Sequence, residues 1–268
     1  MGERALHRGD VAGSSPVFST IGKRPLLSVR AREVLLNKGK AIMKYYEAYD
    51  ERYKTIHDRG YSWASDENTP IVIETIGRYQ IAQDVPMLEI GCGEGRDAQF
   101  LLKKGYDLLA TDVSPEAISY CRNAFPDYED RFQVMDCLNS VDRSRYGFIY
   151  AVAVIHMLLL DEDRQTFYRF IREHLCENGI ALICSMGDGQ TERMTDMGDA
   201  FKLQEREHPS GKVMVAATSC RMVSFPSFES ELSEAGLQII EEGMTSCLPE
   251  FDALMYAVVR KTDRFVLQ

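Results

Sequence analysis

The stretch Met87–Asp112, MLEIGCGEGRDAQFLLKKGYDLLATD, constrains the fold more than any other part of this 268-residue chain. A short apolar run ends at Gly91, and Gly93 and Gly95 follow at alternate positions. Arg96–Lys104 then carries apolar residues at helical spacing, Gly105 stops it, and a second apolar run, Asp107–Thr111, leads to Asp112. Short apolar runs bounded by turn signals read as buried strands. Strand, turn, helix, strand is the unit of a parallel sheet, because parallel neighbours need a crossover connection. A right-handed crossover brings the carboxyl ends of both strands to one edge, and ligands of open α/β sheets bind at that edge.

The alternation continues. Ser114-Pro115-Glu116 supplies a cap, a first-turn proline and an early acid for a second crossover helix. Strands are predicted at Phe132–Met135 and Phe148–Val154. Asp161 opens a helix with Phe167, Phe170, Ile171 and Leu175 on one face, ended by Gly179, and strand Ile180–Ser185 follows. A polar, glycine-rich insertion over 186–225 becomes strand-like at Lys212–Val223. A last helix, Phe225–Ala235, precedes two strands, Leu237–Glu241 and Leu254–Arg260, read as a hairpin-like pair. Upstream, Tyr46, Tyr49, Tyr53 and Ile56 mark one face of a helix that Gly60 stops, and Thr69-Pro70 opens another running to about Ala82. The fold class is therefore α/β: seven strands, mostly parallel with the last antiparallel, helices on both faces, and a short helical N-terminal cover. The sheet domain spans 86–262 and the cover 43–85.

Composition narrows the partners. A net charge of −10 argues against a nucleic-acid partner, since phosphate binding draws on clustered Lys and Arg. No apolar run reaches the ~18 residues of a membrane span, so no membrane partner is expected. The seven cysteines, Cys92, Cys121, Cys137, Cys176, Cys184, Cys220 and Cys247, are odd in number and form no CxxC. They read as free thiols of a cytoplasmic protein, with no metal site. Residues 1–42 are basic and turn-rich without an apolar signal core, and are expected to be either a disordered tail or a non-native extension upstream of a translation start at Met43. Gly13-Ser14-Ser15-Pro16 can be encoded by a stretch resembling the T arm of a transfer RNA gene.

The glycine turn admits few ligands. A Walker loop needs GxxxxGK[ST], and the chain has none. A dinucleotide fingerprint needs glycine where Arg96 stands. What remains is ExGxGxG, as Glu89-x-Gly91-x-Gly93-x-Gly95, and here LEIGCGEGRD resembles motif I of class I S-adenosylmethionine-dependent methyltransferases. The resemblance runs from about residue 85 to 262 and implies a Rossmann-like sheet with S-adenosyl-L-methionine as cofactor. It places Asp112 on the ribose hydroxyls, where two carboxylate oxygens match a vicinal diol. It places Asp136 near the adenine amine, Val113 and Cys137 against the adenine faces, and Ala151 and Ala153 along the methionyl chain. Glu89 would receive the methionine ammonium, while Gly91, Cys92, Gly93 and Gly95 form the turn beside its carboxylate. Arg96 could neutralise that carboxylate or pair with Glu94 or Asp97. One departure is Gly147, where the family commonly has aspartate.

The acceptor is less legible. Methyl transfer needs an acceptor lone pair aligned with the sulfonium, and a base only where a proton must leave. His156, just beyond the fourth strand, is the candidate base or a packed histidine. Trp63, Asp188, His208 and Arg221 are candidate substrate contacts, each with packing or solvation as the alternative, and Tyr45, Tyr46 and Tyr49 could belong to the same lid. The segment after the fourth strand, Ala151-Val152-Ala153-Val154, lacks the [DN]PP[YF] of nucleic-acid amino-methyltransferases. The helical cover and long insertion are loosely similar to thiopurine and tellurite-resistance methyltransferases. The expected function is methylation of a small molecule at O, N or S, with a non-catalytic cofactor-binding sensor or assembly protein as the alternative.

Overall fold

The computed structural model describes residues 33–35, 42–63, 67–247 and 251–262. In chain order it contains β1 (Glu33–Leu35), β2 (Ile42–Lys44), α1 (Ala48–His57), α2 (Pro70–Arg78), β3 (Met87–Ile90), α3 (Arg96–Lys103), β4 (Leu108–Asp112), α4 (Pro115–Ala124) and β5 (Phe132–Val134). Then come β6 (Tyr146–Val152), α5 (Asp161–His174), β7 (Leu175–Met186), β8 (Arg193–Met194), β9 (Leu203–His208), β10 (Gly211–Ala216), β11 (Arg221–Met222), α6 (Phe225–Glu234), β12 (Leu237–Cys247) and β13 (Phe251–Lys261). The extension expected over 1–42 lies outside the described residues, apart from the backbone of β1 and the start of β2, which pair antiparallel.

Seven strands form one sheet in the order β12-β13-β7-β6-β3-β4-β5. β13 runs antiparallel to both of its neighbours, while the pairs from β7 to β5 are all parallel. Its architecture is the Rossmann-like one expected. Alternation within strands shows why both faces are covered. Leu88 and Ile90 of β3 and Ile149 and Ala151 of β6 pack with Phe167, Ile171 and Phe228 of α5 and α6. Met87, Phe148 and Tyr150 point to the other face, with Val72, Ile76, Ala98, Leu101 and Ile118 of α2, α3 and α4. A strand apolar at every position can serve two layers at once.

Boundaries move where packing outweighs local signals. α5 ends at His174, not at Gly179, because the His174 ring contacts the Phe170 and Asp142 carbonyl oxygens at 2.7 and 2.9 Å, and Leu175 already pairs with Tyr146. Gly179 instead sits inside β7, where a Cβ would meet the Tyr146 carbonyl oxygen at 2.9 Å. α2 ends at Arg78, four residues earlier than Ala82, as Gln80 takes a left-handed φ of 52°. The insertion folds into two short antiparallel ribbons, β8 with β11 and β9 with β10. β9, LQEREH, has no apolar face and so carries no strand signal in the sequence. α1 lies against this insertion, with Ile56 packed on Val213, Val215 and Trp63. Gly147 is explained by contact: a Cβ there would lie 2.4 Å from Val85 Cγ1.

Candidate functional site

The turn after β3 is fastened before any ligand arrives. The N–H groups of Gly91 and Cys92 donate to the Thr111 carbonyl at 2.7 and 2.9 Å, tying the turn to β4. Gly91 and Gly93 have φ of 76° and 54°, a region that glycine enters without steric cost. Walls also press on them: a Cβ on Gly91 would sit 2.3 Å from Val154 Cγ2, and one on Gly93 would sit 2.8 Å from the Tyr53 hydroxyl. Asp112, at the end of β4, closes the constellation. Its Oδ2 accepts from Gly93 N and its Oδ1 from Ser114 N, both at 2.8 Å. Each oxygen thus keeps further acceptor capacity. Burial pushes the Asp112 carboxyl above its ordinary range, and those N–H bonds oppose the shift.

A cavity of about 620 Å³ opens between this turn, the end of β6, α1 and the insertion. Glu89 lies in its wall, buried, with no hydrogen-bond partner for Oε2 among the described residues. Burial, reinforced by the charge of Asp97, raises its pKa well above the ordinary carboxylate value. Gly91, Cys92, Gly93, Asp112, Val113 and Ala153 also line the cavity. Ala153 holds a left-handed φ of 56°, strain that a packed scaffold must sustain. Arg96 lines it as well and donates to Thr69 Oγ1 at 3.1 Å, while Asp97 accepts from Thr69 N at 2.6 Å, so the start of α2 is bound to the start of α3.

Other sequence candidates fall elsewhere. Gly95 caps α3 beneath Cys121, Phe125 and Phe132. Ala151 is in the core, and Cys137 packs against it. Asp136 does not line the cavity: it accepts from Lys44 Nζ at 2.6 Å, Tyr46 OH at 3.1 Å and Asn139 Nδ2 at 2.7 Å, and so ties the N-terminal segment to the sheet. Tyr45 does similar work, donating to Asp163 at 2.7 Å and accepting from Leu159 N at 3.0 Å. Of the acceptor candidates, Trp63 and His208 line the cavity, and their rings meet edge to face at 4.9 Å. Asp188 does not: it is exposed and closes a local turn with Gln190 N and Thr191 N. Nor does Arg221, which is buried against the Leu159 carbonyl and Asp161, each at 2.7 Å. His156 lines the cavity, but burial and the Arg164 charge push its pKa down to about 3. Its imidazole is neutral and weakly basic at neutral pH.

Tyr49, Arg52 and Tyr53 bring one face of α1 to the cavity, and Arg206 reaches it from β9. From sequence, Tyr49 and Tyr53 share the helix stripe and Tyr49 is also a lid candidate, whereas neither arginine is a site candidate. The i, i+3, i+4 spacing of 49, 52 and 53 was a signal for one shared face. For Arg206 the signal was strict polar alternation in LQEREH, where Gln204, Arg206 and His208 share the covered side. His57 fixes α1 in place: its Nε2 lies 2.8 Å from Glu94 Oε1 and its Nδ1 lies 2.8 Å from Glu116 Oε1.

Residues 88–181 match the family model described as a methyltransferase domain. The chain is 44% identical over 55 residues to ribosomal RNA small subunit methyltransferase A of Porphyromonas gingivalis, and that match covers 20% of this chain and 21% of the relative. The chain thus spans about a fifth of the length of the curated relatives it matches. The fold is similar to that of Burkholderia thailandensis 1,6-didemethyltoxoflavin-N1-methyltransferase, solved with 1,6-didemethyltoxoflavin and S-adenosylhomocysteine. The TM-score is 0.64 at 14% identity, over 94% of this chain and 98% of that one. It is similar too to the CcbJ methyltransferase of Streptomyces caelestis, with TM-score 0.58 and 16% identity over 81% and 99% of the two chains. Residues 88–181 thus carry the match to a methyltransferase domain, and the sheet around them has the Rossmann-like fold of the solved methyltransferases to which it is similar.

Proposed function

We propose that this chain binds S-adenosyl-L-methionine in the cavity and catalyses methyl transfer to a small-molecule acceptor at O, N or S. One observation carries the reading: Asp112, at the carboxyl end of β4, has both oxygens oriented by backbone N–H groups and faces a cavity that also holds the buried Glu89 carboxyl, whose Oε2 has no hydrogen-bond partner among the described residues. The donor set fits the cofactor. Asp112 offers paired acceptors to a diol, Glu89 a buried acceptor for an ammonium, and Val113 and Val152 apolar surface. When bound, S-adenosylmethionine supplies a methyl group already activated on a sulfonium. The chain's own task is orientation and the exclusion of water. α1 places the Tyr53 hydroxyl beside Gly93 of the glycine turn and brings Tyr49 to the same cavity, and Val154, Met157 and Met186 present apolar surface. His156 is too weak a base to draw a proton from an acceptor at neutral pH, so positioning is the main device.

Calorimetric titration with S-adenosylmethionine tests the donor half. Asp112→Ala should weaken binding by about tenfold or more, the loss of two charge-assisted hydrogen bonds. Unchanged affinity would sink the assignment. The acceptor half is read by mass spectrometry after supplying labelled methyl donor with a metabolite extract in one arm and with RNA in another. Label in a small molecule supports the proposal. Label in RNA alone would favour the reading drawn from the ribosomal RNA methyltransferase relatives, which the net charge of −10 opposes. Tight binding with no turnover in either arm would favour a sensor.

A further inference from the structure

Four carboxyl groups stand in the wall of the one cavity: Glu89, Glu94, Asp97 and Asp112. Three of them have polar partners. Asp97 accepts from Thr69 N and Oγ1 at 2.6 and 2.7 Å, and Asp112 from Gly93 N and Ser114 N, both at 2.8 Å. Glu94 Oε1 lies 2.8 Å from His57 Nε2. Glu89 differs. It is only 4% exposed, and its Oε2 meets no hydrogen-bond partner among the described residues.

The groups that face Glu89 pull in opposite directions. Burial and the charges of Asp97 on α3 and Asp112 on β4 favour the neutral acid. The Tyr150 hydroxyl, from the residue paired with Glu89 across β6, and the Arg96 guanidinium favour the anion, and the first set prevails. The Cys92 thiol of the adjoining turn, hydrogen-bonded to Cys121 and buried, is held well above its ordinary range and adds no charge. Like charges packed into a water-poor wall cannot all ionise, and the proton settles on the carboxyl that the fewest donors serve. An ammonium brought against Oε2 reverses that balance, because an opposite charge within ~4–6 Å favours the ionised acid.

We infer that Glu89 holds a proton in the free protein and yields it to solvent when the ammonium of S-adenosylmethionine enters, so that cofactor capture is coupled to proton release. The inference rests on the methyltransferase reading of the cavity and adds what Glu89 does there. The balance is simple: a neutral acid and an ammonium become an ion pair, and the buffer takes the proton. Selectivity follows from it. An adenosyl ligand without the amino-acid tail brings nothing that expels the proton, so rising pH favours ligands that carry the ammonium. Below the raised Glu89 pKa, each pH unit should strengthen cofactor binding about tenfold, the linkage for one proton, and the dependence should level off above it.

Calorimetry of the full chain reads the proton directly, at about pH 6, where the ligand's own amine, with an ordinary value of roughly 7.7–8.0, is protonated. S-adenosylmethionine and 5′-methylthioadenosine, which lacks the amino-acid tail, are each titrated in two buffers of different ionisation enthalpy. S-adenosylmethionine should release about one proton more than methylthioadenosine. The comparison removes any release from Asp112, whose carboxyl is also shifted upward by burial and which both ligands would meet through the ribose. Glu89→Gln should erase the excess and flatten the pH dependence, with an unchanged circular-dichroism spectrum reporting its fold. The parent comparison decides by itself if that variant does not fold. Equal release by the two ligands, or the same excess in Glu89→Gln, would overturn the inference. Binding of S-adenosylmethionine without the excess proton overturns the inference alone, whereas no binding of S-adenosylmethionine overturns the methyltransferase reading and this inference with it.

Discussion

At the residue scale, environment decides what a side chain can do. Asp112 and His156 both line the cavity, yet two N–H donors orient the Asp112 carboxylate for further acceptor work, while burial strips His156 of basicity. The histidine carries a testable consequence. Its pKa falls from the ordinary 6.5 to about 3 on folding, so between those values the unfolded chain binds a proton that the folded chain refuses. Stability contributed by the neutral ring is therefore fully present above 6.5 and is lost as pH falls toward about 3. The slope is roughly 1.4 kcal/mol per pH unit for one such group. Glu89 and Asp112 are shifted upward and bend the total curve the other way, so the test is a difference. Urea unfolding across mildly acid pH should show a shallower acid loss in His156→Asn than in the parent; parallel curves would rule the account out.

At the element scale, helix ends and their partners hold the site together. α4 begins at Ser114, whose hydroxyl accepts from Ala117 N at 3.0 Å and donates to Asp50 Oδ1 of α1 at 2.7 Å. Glu116 N also donates to Asp50 at 3.1 Å. One serine thus caps a helix and docks the element that brings Tyr49, Arg52 and Tyr53 to the cavity. Ser114→Ala should cost about 1 kcal/mol from the lost cap, measured by urea denaturation. Loosening of α1 should also raise the S-adenosylmethionine dissociation constant by calorimetry. An undiminished affinity would show that α1 is held by its other contacts, among them His57 with Glu94 and Glu116. The cap was legible from Ser-Pro-Glu alone, since capping is local. Asp50 as its partner was not, since 64 residues separate them.

At the scale of the whole molecule, a buried charge network ties the loop after β6 to α6. Arg164, fully buried, donates to both Glu231 oxygens and to the Ile155 carbonyl at 2.8 Å. Arg221 reaches the same Glu231 at 3.4 Å and holds the Leu159 carbonyl. Glu231→Ala would leave two guanidinium groups buried beside each other. Breaking one side of such a network costs about 3 to 5 kcal/mol, against the few tenths of a surface pair. Urea unfolding should show that loss, and a change under 1 kcal/mol would mean that the network relaxes to solvent, about the value of an exposed pair. The segment Ile155–Leu159 borders the cavity through His156 and Met157, so the variant should weaken cofactor or acceptor binding as well.

Sequence alone determined the sheet and the place of its glycine turn. Apolar runs, alternate glycines and a strand-end acid are local patterns, and the chain's covalent order places them at one edge of a parallel sheet. Strand Met87–Ile90 could be read to the residue, because short-range spacing decides it, and the glycine turn with Asp112 pointed to a ligand class through its resemblance to a known motif. Tertiary structure alone decided the far wall. Arg52 and Arg206 are 154 positions apart by their numbers in the sequence, and only the docking of α1 on the β9–β10 ribbon makes them neighbours at Gln204. It also removed Asp136 and Arg221 from the cavity by giving each a partner far away in the sequence. A polar side chain's role follows from the groups it meets, and those meetings are long-range facts that no local pattern encodes.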